Sequence, residues 1–170
     1  GIAALRPASI VIRTVRVFQA GDGMVDVAAF VHNPNQRSLA TITYTFAASA
    51  SNGDVRSTVL LPGRSRWLAG LGVKAPSRNA EFRILSTQWD RIGHLEVRDV
   101  AQFMDDRLRV KTDDVQFTTT QAAPTSGATS SQSAAPIARA TFTVVNESAY
   151  HLDTLDLVVL AMRGSSVVGV

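Results

Sequence analysis

The chain of 170 residues contains no cysteine. This absence excludes disulfide bonds, thiolate metal sites and cysteine nucleophiles. It does not fix the compartment, because it argues only against a secreted fold that is stapled by disulfides. Long apolar runs are also missing, and no segment is apolar over the roughly 20 residues that a membrane-spanning helix needs.

Lysine is nearly absent, with only Lys74 and Lys111, so the formal net charge of +3 depends on arginines spread along the chain. Proteins that bind nucleic acid usually cluster basic residues on one face, with aromatic residues between them. The sequence shows no such stripe, and we therefore expect no nucleic-acid partner. Hydrophobic residues make up 45% of the chain, which is ordinary for a globular protein and sufficient for a packed core.

Motifs of catalysis and cofactor binding are missing as well. The three histidines lack the i, i+4 spacing of a zinc-protease helix, there is no Gly-x-Ser-x-Gly segment, and Gly70-Leu71-Gly72 lacks the third glycine of a phosphate loop. We predict no catalytic, cofactor-binding or metal-ligating residues and no cofactor. The pairs Asp105-Asp106 and Asp113-Asp114 leave Ca²⁺ binding open beside the alternative of solvated turn carboxylates, although their spacing matches no EF-hand loop.

The first 90 residues consist largely of segments with the sequence pattern of β-strands. Alternating segments rich in β-branched residues predict strands at 9–17, 24–32, 39–47, 55–61, 66–73 and 78–88. Turns every 8–12 residues are typical of an immunoglobulin-like sandwich. We expect turn and capping roles for Asn33, Pro34, Gly53, Pro62 and Gly63. We expect core positions for Ile42, Tyr44, Phe46 and Trp67.

An internal repeat extends this reading to the second half of the chain. The segment Val27–Asn33 is similar to Ala140–Asn146, and a leucine follows each asparagine six residues later. Leu155, Leu157 and Val159 follow Asn146 at the same spacing at which Ile42, Tyr44 and Phe46 follow Asn33. The repeat therefore predicts core positions for Leu155, Leu157 and Val159. Asn146 then takes the structural role of Asn33, since an asparagine after a strand can cap a turn by bonding nearby backbone groups. A ligand role for either asparagine is the alternative.

The expected fold class is all-β, with two tandem immunoglobulin-like β-sandwich modules. The first module spans 9–90 and the second spans 94–170. Residues 1–8 form an N-terminal stub, which is either the end of a membrane helix or a frayed terminus. Because residues 165–170 read as the start of a strand, we expect the second module to be truncated.

Two segments of the second module have distinct compositions. His94–Phe103 is strand-like, and no helix is predicted there or elsewhere. Residues 118–136 are rich in serine, threonine and alanine and lack large apolar side chains. We predict a disordered low-complexity loop there, because it cannot bury enough surface to offset its ordering entropy.

The succession of the Asn33-Pro34-Asn35 turn, a Thr-Tyr-Thr-Phe strand, an Asn-Gly-Asp turn at 52–54 and Leu61-Pro62-Gly63 resembles a known family. It is similar to the immunoglobulin-like FxLYD and LEA14-type domains of prokaryotic envelope proteins. It is more similar still to tandem-domain envelope proteins that are anchored by one N-terminal membrane helix. The resemblance covers residues 8–89 and, partially, 94–170.

The resemblance implies an accessory, non-enzymatic, extracytoplasmic protein of the cell envelope. Such a protein acts as a spacer or protein-binding scaffold, whose partner is another envelope protein or none. Contact with a membrane is expected only through a segment preceding residue 1. A glycan- or peptide-binding module is the alternative, because sandwich edges accept added strands and exposed aromatic residues stack on sugars. A metal-dependent enzyme is the remote alternative.

Overall fold

A computed structural model describes residues 6–21, 23–48, 53–75, 79–120 and 137–170. The elements in chain order are β1 (Val11–Gly21), β2 (Met24–His32), β3 (Ser38–Ala48), β4 (Val55–Leu60), β5 (Ser65–Lys74), β6 (Ala80–Arg91), α1 (Val100–Arg107), β7 (Val110–Thr120), β8 (Ile137–Asn146), β9 (Ala161–Arg163) and β10 (Ser166–Gly169). The described residues form mostly antiparallel strands with one short helix, which confirms the all-β prediction.

The chain divides into two compact units. The first comprises Gly1–Phe103 with Asp153–Val170, and the second comprises Met104–Leu152. The tandem arrangement of two sandwich modules at 9–90 and 94–170 stays a prediction. The predicted stub at 1–8 lies outside the described residues as far as residue 5.

The first unit contains a sandwich of two three-stranded sheets. One sheet has the order β1-β2-β5 and the other has the order β4-β3-β6. Alternation along the strands sends every second side chain inward. The buried apolar cluster draws on both sheets and consists of Val25, Val27, Ala29, Val31, Ala40, Ile42, Tyr44, Phe46, Leu60, Leu68, Ala75 and Phe82.

Three aromatic rings form the centre of this core. Tyr44, Phe46 and Phe82 have ring centroids 5.3 to 5.7 Å apart, within the range of favourable tilted and edge-to-face contacts. Gly70 of β5 lies against the Phe46 ring so closely that an added Cβ would be 2.5 Å from Cδ2. The opposing sheet can approach at this point because β5 has no side chain there.

The second unit contains the β7–β8 pair, whose register runs from Val110 opposite Asn146 to Thr120 opposite Ile137. The predicted repeat strand at 140–146 lies within β8. Residues 118–120, expected at the start of the disordered loop, belong to β7 instead, because β-branched threonines suit a paired strand. The rest of the predicted loop, residues 121–136, lies outside the described residues.

The predicted strand His94–Phe103 is wrong, because a turn at 94–96 leads into α1. The Asp99 side chain accepts a hydrogen bond from the backbone N–H of Gln102 at 3.0 Å, which is the geometry of a helix N-cap. Val100 and Met104 are both buried. Their i, i+4 spacing places them on one helix face, a period that a strand-based reading overlooks.

The segment from Thr154 to Leu160 is neither strand nor helix. Leu155, Leu157 and Val159 are 44, 50 and 50% exposed, which corrects the expectation of core positions. Their alternation has the period of a strand, but the segment pairs with no described neighbour that would bury one face. Gly164 forms the turn between β9 and β10, with φ 61°.

Candidate interaction surface

Strand β1 is the edge of its sheet. It pairs with β2 on one side, and no described strand continues the ladder on the other. The hairpin of β9 and β10 approaches β1 but forms its own two-stranded sheet. At 11 residues β1 is long for an edge strand, and natural proteins usually shorten or interrupt such edges to prevent unwanted pairing.

The inner face of β1 carries an exposed apolar stripe. Three of its residues pair with fully buried residues of β2: Ile12 with Val31, Val15 with Ala29, and Val17 with Val27. Directly opposed residues share a sheet face, so all three point toward the core side. Ile12, Val15 and Val17, which we call the β1 stripe, are nevertheless 43, 38 and 38% exposed. The core face of the sheet is therefore incompletely covered along β1.

All charged side chains on β1 and in the segment just before it are positive. Arg13 and Arg16 of β1 are exposed, Arg6 precedes the strand, and no acidic residue lies between Arg6 and Gly21. Arg13 sits where the register shifts between Ile12 and Thr14, at a β-bulge. A cationic edge of this kind repels a second copy of itself and attracts an acidic segment.

A cavity of about 470 Å³ lies near the beginning of β1. Its walls come from the residues before β1, the turn between β2 and β3, and the end of β6: Arg6, Pro7, Asn35, Gln36, Arg37, Ser38, Trp89 and Arg91. The pairing of β3 with β6 places Ser38 opposite Arg91 and so brings residues distant in sequence together. We call this cavity the β1-start pocket.

Asn35 fixes the chain at this pocket. Its side-chain Nδ2 donates to the Ala8 carbonyl at 2.8 Å, and its Oδ1 accepts from the Ala8 N–H at 2.8 Å. The amide thus pairs with Ala8 as a neighbouring strand would. These two bonds hold the residues preceding β1 against the turn between β2 and β3.

Asn33 has a structural role and is completely buried. Its Nδ2 donates to the carbonyls of Ser38 at 2.7 Å and Leu60 at 3.2 Å. Its Oδ1 accepts from the N–H and the side-chain Nδ2 of Asn35, each at 3.0 Å. One side chain therefore joins β3, β4 and the turn, which is the capping function expected from its position.

The turn between β4 and β5 lies at the same end of the sandwich as the turn between β2 and β3. Pro62 is buried and Pro34 is half-buried. Gly63 has φ 65° and donates its N–H to the Asn35 carbonyl at 3.0 Å. A non-glycine residue is strained at that φ, so the glycine is required by the backbone. The predicted turn residues Asn33, Pro34, Pro62 and Gly63 are thus brought together.

Arg37 is occupied by backbone acceptors. Its guanidinium donates to the carbonyls of Gly93 at 3.0 Å, Val97 at 2.6 Å and Arg98 at 3.3 Å. The side chain clamps the turn before α1. By contrast, Arg6 and Arg91 are exposed, and neither guanidinium group forms a hydrogen bond or ion pair with any residue that the structure describes. No local pattern in the sequence indicates that these two arginines line the same cavity.

Trp67 lies outside the core, contrary to the expectation. It pairs with Phe30 on the outer sheet face, where the two rings stack with centroids 4.9 Å apart. Its neighbour Leu68 is the inward residue and is buried. Gly53 lies directly against the Phe46 carbonyl, which leaves no room for a Cβ.

Asn146 repeats part of the Asn33 arrangement in the second unit. Its Oδ1 accepts from the Ser148 N–H at 3.0 Å, as Asn33 accepts from Asn35, and its Nδ2 donates to the Tyr150 carbonyl at 2.8 Å. Asn146 is exposed, however. The two asparagines share local turn chemistry and differ in burial.

One member of each acidic pair forms a surface ion pair. Asp106 lies 3.5 Å from Arg109, and Asp113 lies 3.1 Å from Lys111. Hydrogen bonds to Asp113 and Glu147 raise the pKa of Lys111. Over the described parts of the chain, no group of three or more His, Asp or Glu side chains is arranged to hold a metal ion.

None of the helices among the described residues has the length and apolar character needed to cross a bilayer. No protein-family model, curated protein or solved structure matches this chain.

Proposed function

We propose that this chain is a non-enzymatic, extracytoplasmic interaction module of the cell envelope that receives an extended segment of a partner protein along β1. The observation that carries the proposal is the edge position of β1 together with its exposed β1 stripe. The extracytoplasmic setting and the scaffold role rest on the family resemblance of the sequence.

An edge strand offers unpaired N–H and C=O groups to an incoming segment, and main-chain hydrogen bonds supply the affinity of such strand addition. Side chains of the added strand that alternate toward the core would cover the β1 stripe. Burying the exposed part of three aliphatic side chains contributes about 1 kcal/mol each. The cationic residues of β1 then select for acidic segments.

The test uses the full chain and a synthetic ten-residue peptide of alternating valine and glutamate, acetylated at its N-terminus. We expect the peptide to bind and to slow hydrogen exchange of β1 amides. Val15→Lys should weaken binding by placing a charge on the β1 stripe. Val59→Lys is the matched control, because Val59 is similarly exposed but lies on β4 of the other sheet.

Absence of binding, or protection that maps away from β1, would overturn the proposal. Equal weakening by the two lysine variants would show that the β1 stripe is not the docking surface. Binding of an acidic oligosaccharide, with no response to the peptide, would favour a glycan-binding module instead.

A further inference from the structure

We infer that the β1-start pocket is a carboxylate site in which Arg6 and Arg91 receive the C-terminal carboxylate of the strand added to β1. This inference rests on the proposed function and specifies the end of the partner segment. It assigns a ligand class, an organic anion at the end of an extended peptide, to a pocket with two uncommitted guanidinium groups.

The chemistry of the pocket favours an anion. Each guanidinium offers a planar set of N–H donors that matches a carboxylate in two-pronged geometry. The guanidinium groups of Arg6 and Arg91 have no partner among the described residues, whereas that of Arg37 already donates to three carbonyls. The described residues that line the pocket include three arginines and no Asp or Glu that would neutralise their positive charges.

Strand direction decides which end of the peptide arrives there. In antiparallel pairing with β1, the C-terminus of the added strand lies beside the beginning of β1. About five residues separate Arg6 from Val11, or about 16 Å of extended chain at roughly 3.3 Å per residue. A segment that pairs with β1 and continues for a few residues therefore brings its terminal carboxylate to the pocket. Parallel pairing would bring an N-terminal ammonium group, which the arginines repel.

The pocket also has an ordered floor. The paired hydrogen bonds between Asn35 and Ala8 hold the backbone that carries Arg6, and the pairing of Ser38 with Arg91 holds the backbone that carries the other arginine. Less backbone freedom is lost on binding when the backbone of a site is already held in this way. A second copy of the chain is disfavoured as occupant, because β1 against β1 opposes Arg13 and Arg16 with arginines.

Trp89 supplies a reporter. It is half-buried in the pocket wall, whereas Trp67 stacks on Phe30 away from it. Trp67→Phe retains an aromatic ring at that position and leaves Trp89 as the single tryptophan. Its fluorescence then reports occupancy of the β1-start pocket directly.

The experiment compares two forms of the valine–glutamate peptide on the Trp67→Phe chain, one ending in a free carboxylate and one in a carboxamide. We expect the free acid to bind about tenfold more tightly at low salt and to change Trp89 fluorescence. Arg6→Gln and Arg91→Gln should each reduce this preference, and the double variant should abolish it. Arg83→Gln is the control, since Arg83 lies on the same strand as Arg91 but pairs with Glu81 at 2.7 Å.

The outcomes separate this inference from the proposed function. Equal binding of the two peptides, with β1 still protected from exchange, would overturn the carboxylate site and leave strand addition standing. A preference for the free acid that persists in the double variant would also overturn it. Failure of both peptides to bind would remove the proposed function and this inference with it.

Discussion

Replacing Asn33 with alanine tests the interior organisation of the sandwich most sharply. The substitution removes four hydrogen bonds from a side chain with 0% exposure. It leaves the carbonyls of Ser38 and Leu60 and the N–H of Asn35 without their partners. The half-buried Asn35 side chain keeps its two hydrogen bonds to Ala8, so the loss of its bond to Asn33 adds little to the cost.

Each lost buried hydrogen bond costs about 1 kcal/mol net, so the three stranded backbone groups together give about 3 kcal/mol. With a urea dependence of about 2 kcal/mol per molar, the unfolding midpoint should fall by about 1.5 M. Tryptophan fluorescence is the appropriate probe, because Trp67 and Trp89 both belong to the first unit. The slope of the transition should stay unchanged.

Asn146→Ala is the matched control for this prediction. It removes the repeat-equivalent side chain in the second unit, where the bonds are exposed to water. The tryptophan-detected midpoint should not move. If Asn33→Ala lowers stability by less than about 0.5 kcal/mol, the typical size of a surface substitution, the account of the buried cap is refuted.

Three further predictions concern the core. Gly70→Ala should cost about 2 kcal/mol in urea unfolding, because the new Cβ would press on the Phe46 ring, whereas Gly169→Ala, which meets only an ordinary contact, should be neutral in the same assay. Thr45→Val should raise the free energy of unfolding by about 1 kcal/mol, since it removes a buried hydroxyl that has no hydrogen-bond partner among the residues the structure describes; a loss of stability would contradict this. Burial raises the pKa of Tyr44 against the opposing effect of nearby arginines, so the folded state holds the phenol proton more tightly than the unfolded state. The contribution of this proton to the free energy of unfolding is complete below about pH 10 and declines as the pH rises further. The urea midpoint of Tyr44→Phe should therefore fall less between pH 9 and pH 11 than that of the parent chain.

Local patterns in the sequence predict much of the sandwich in the first unit. Period-two alternation in β2 and β3 determines which residues face inward, and it correctly placed Ile42, Tyr44 and Phe46 in the core. The asparagine–proline turn after β2 is also predictable, because Asn33 binds Asn35 and Ser38, which follow it closely in sequence, although its bond to Leu60 spans 27 residues. These features depend on short-range geometry.

Features that depend on long-range pairing were missed. Leu155, Leu157 and Val159 alternate as a strand would, but alternation does not supply the neighbouring strand needed to bury them. Trp67 points outward because its register with β2 places it opposite Phe30. Tryptophan as a residue type favours a core position, and only the pairing register shows that Trp67 lies on the outer face.

The residues of the β1-start pocket could not be grouped from the sequence for the same reason. Arg6 and Arg91 are far apart in the sequence, and no motif connects them. They line the same cavity because Asn35 holds the segment before β1 while β6 pairs with β3 beside the same turn. Equally, the sequence identifies β1 as a strand but does not reveal that it forms an edge.

Hydrogen exchange of β1, with and without the free-acid peptide, tests the central claim most directly. The account predicts that amides between Val11 and Val17 exchange more slowly when the peptide is bound, while amides of the opposite edge strand β4 stay unchanged. Unaltered exchange in β1 at a peptide concentration that saturates the Trp89 signal would contradict the claim that this edge receives a partner strand.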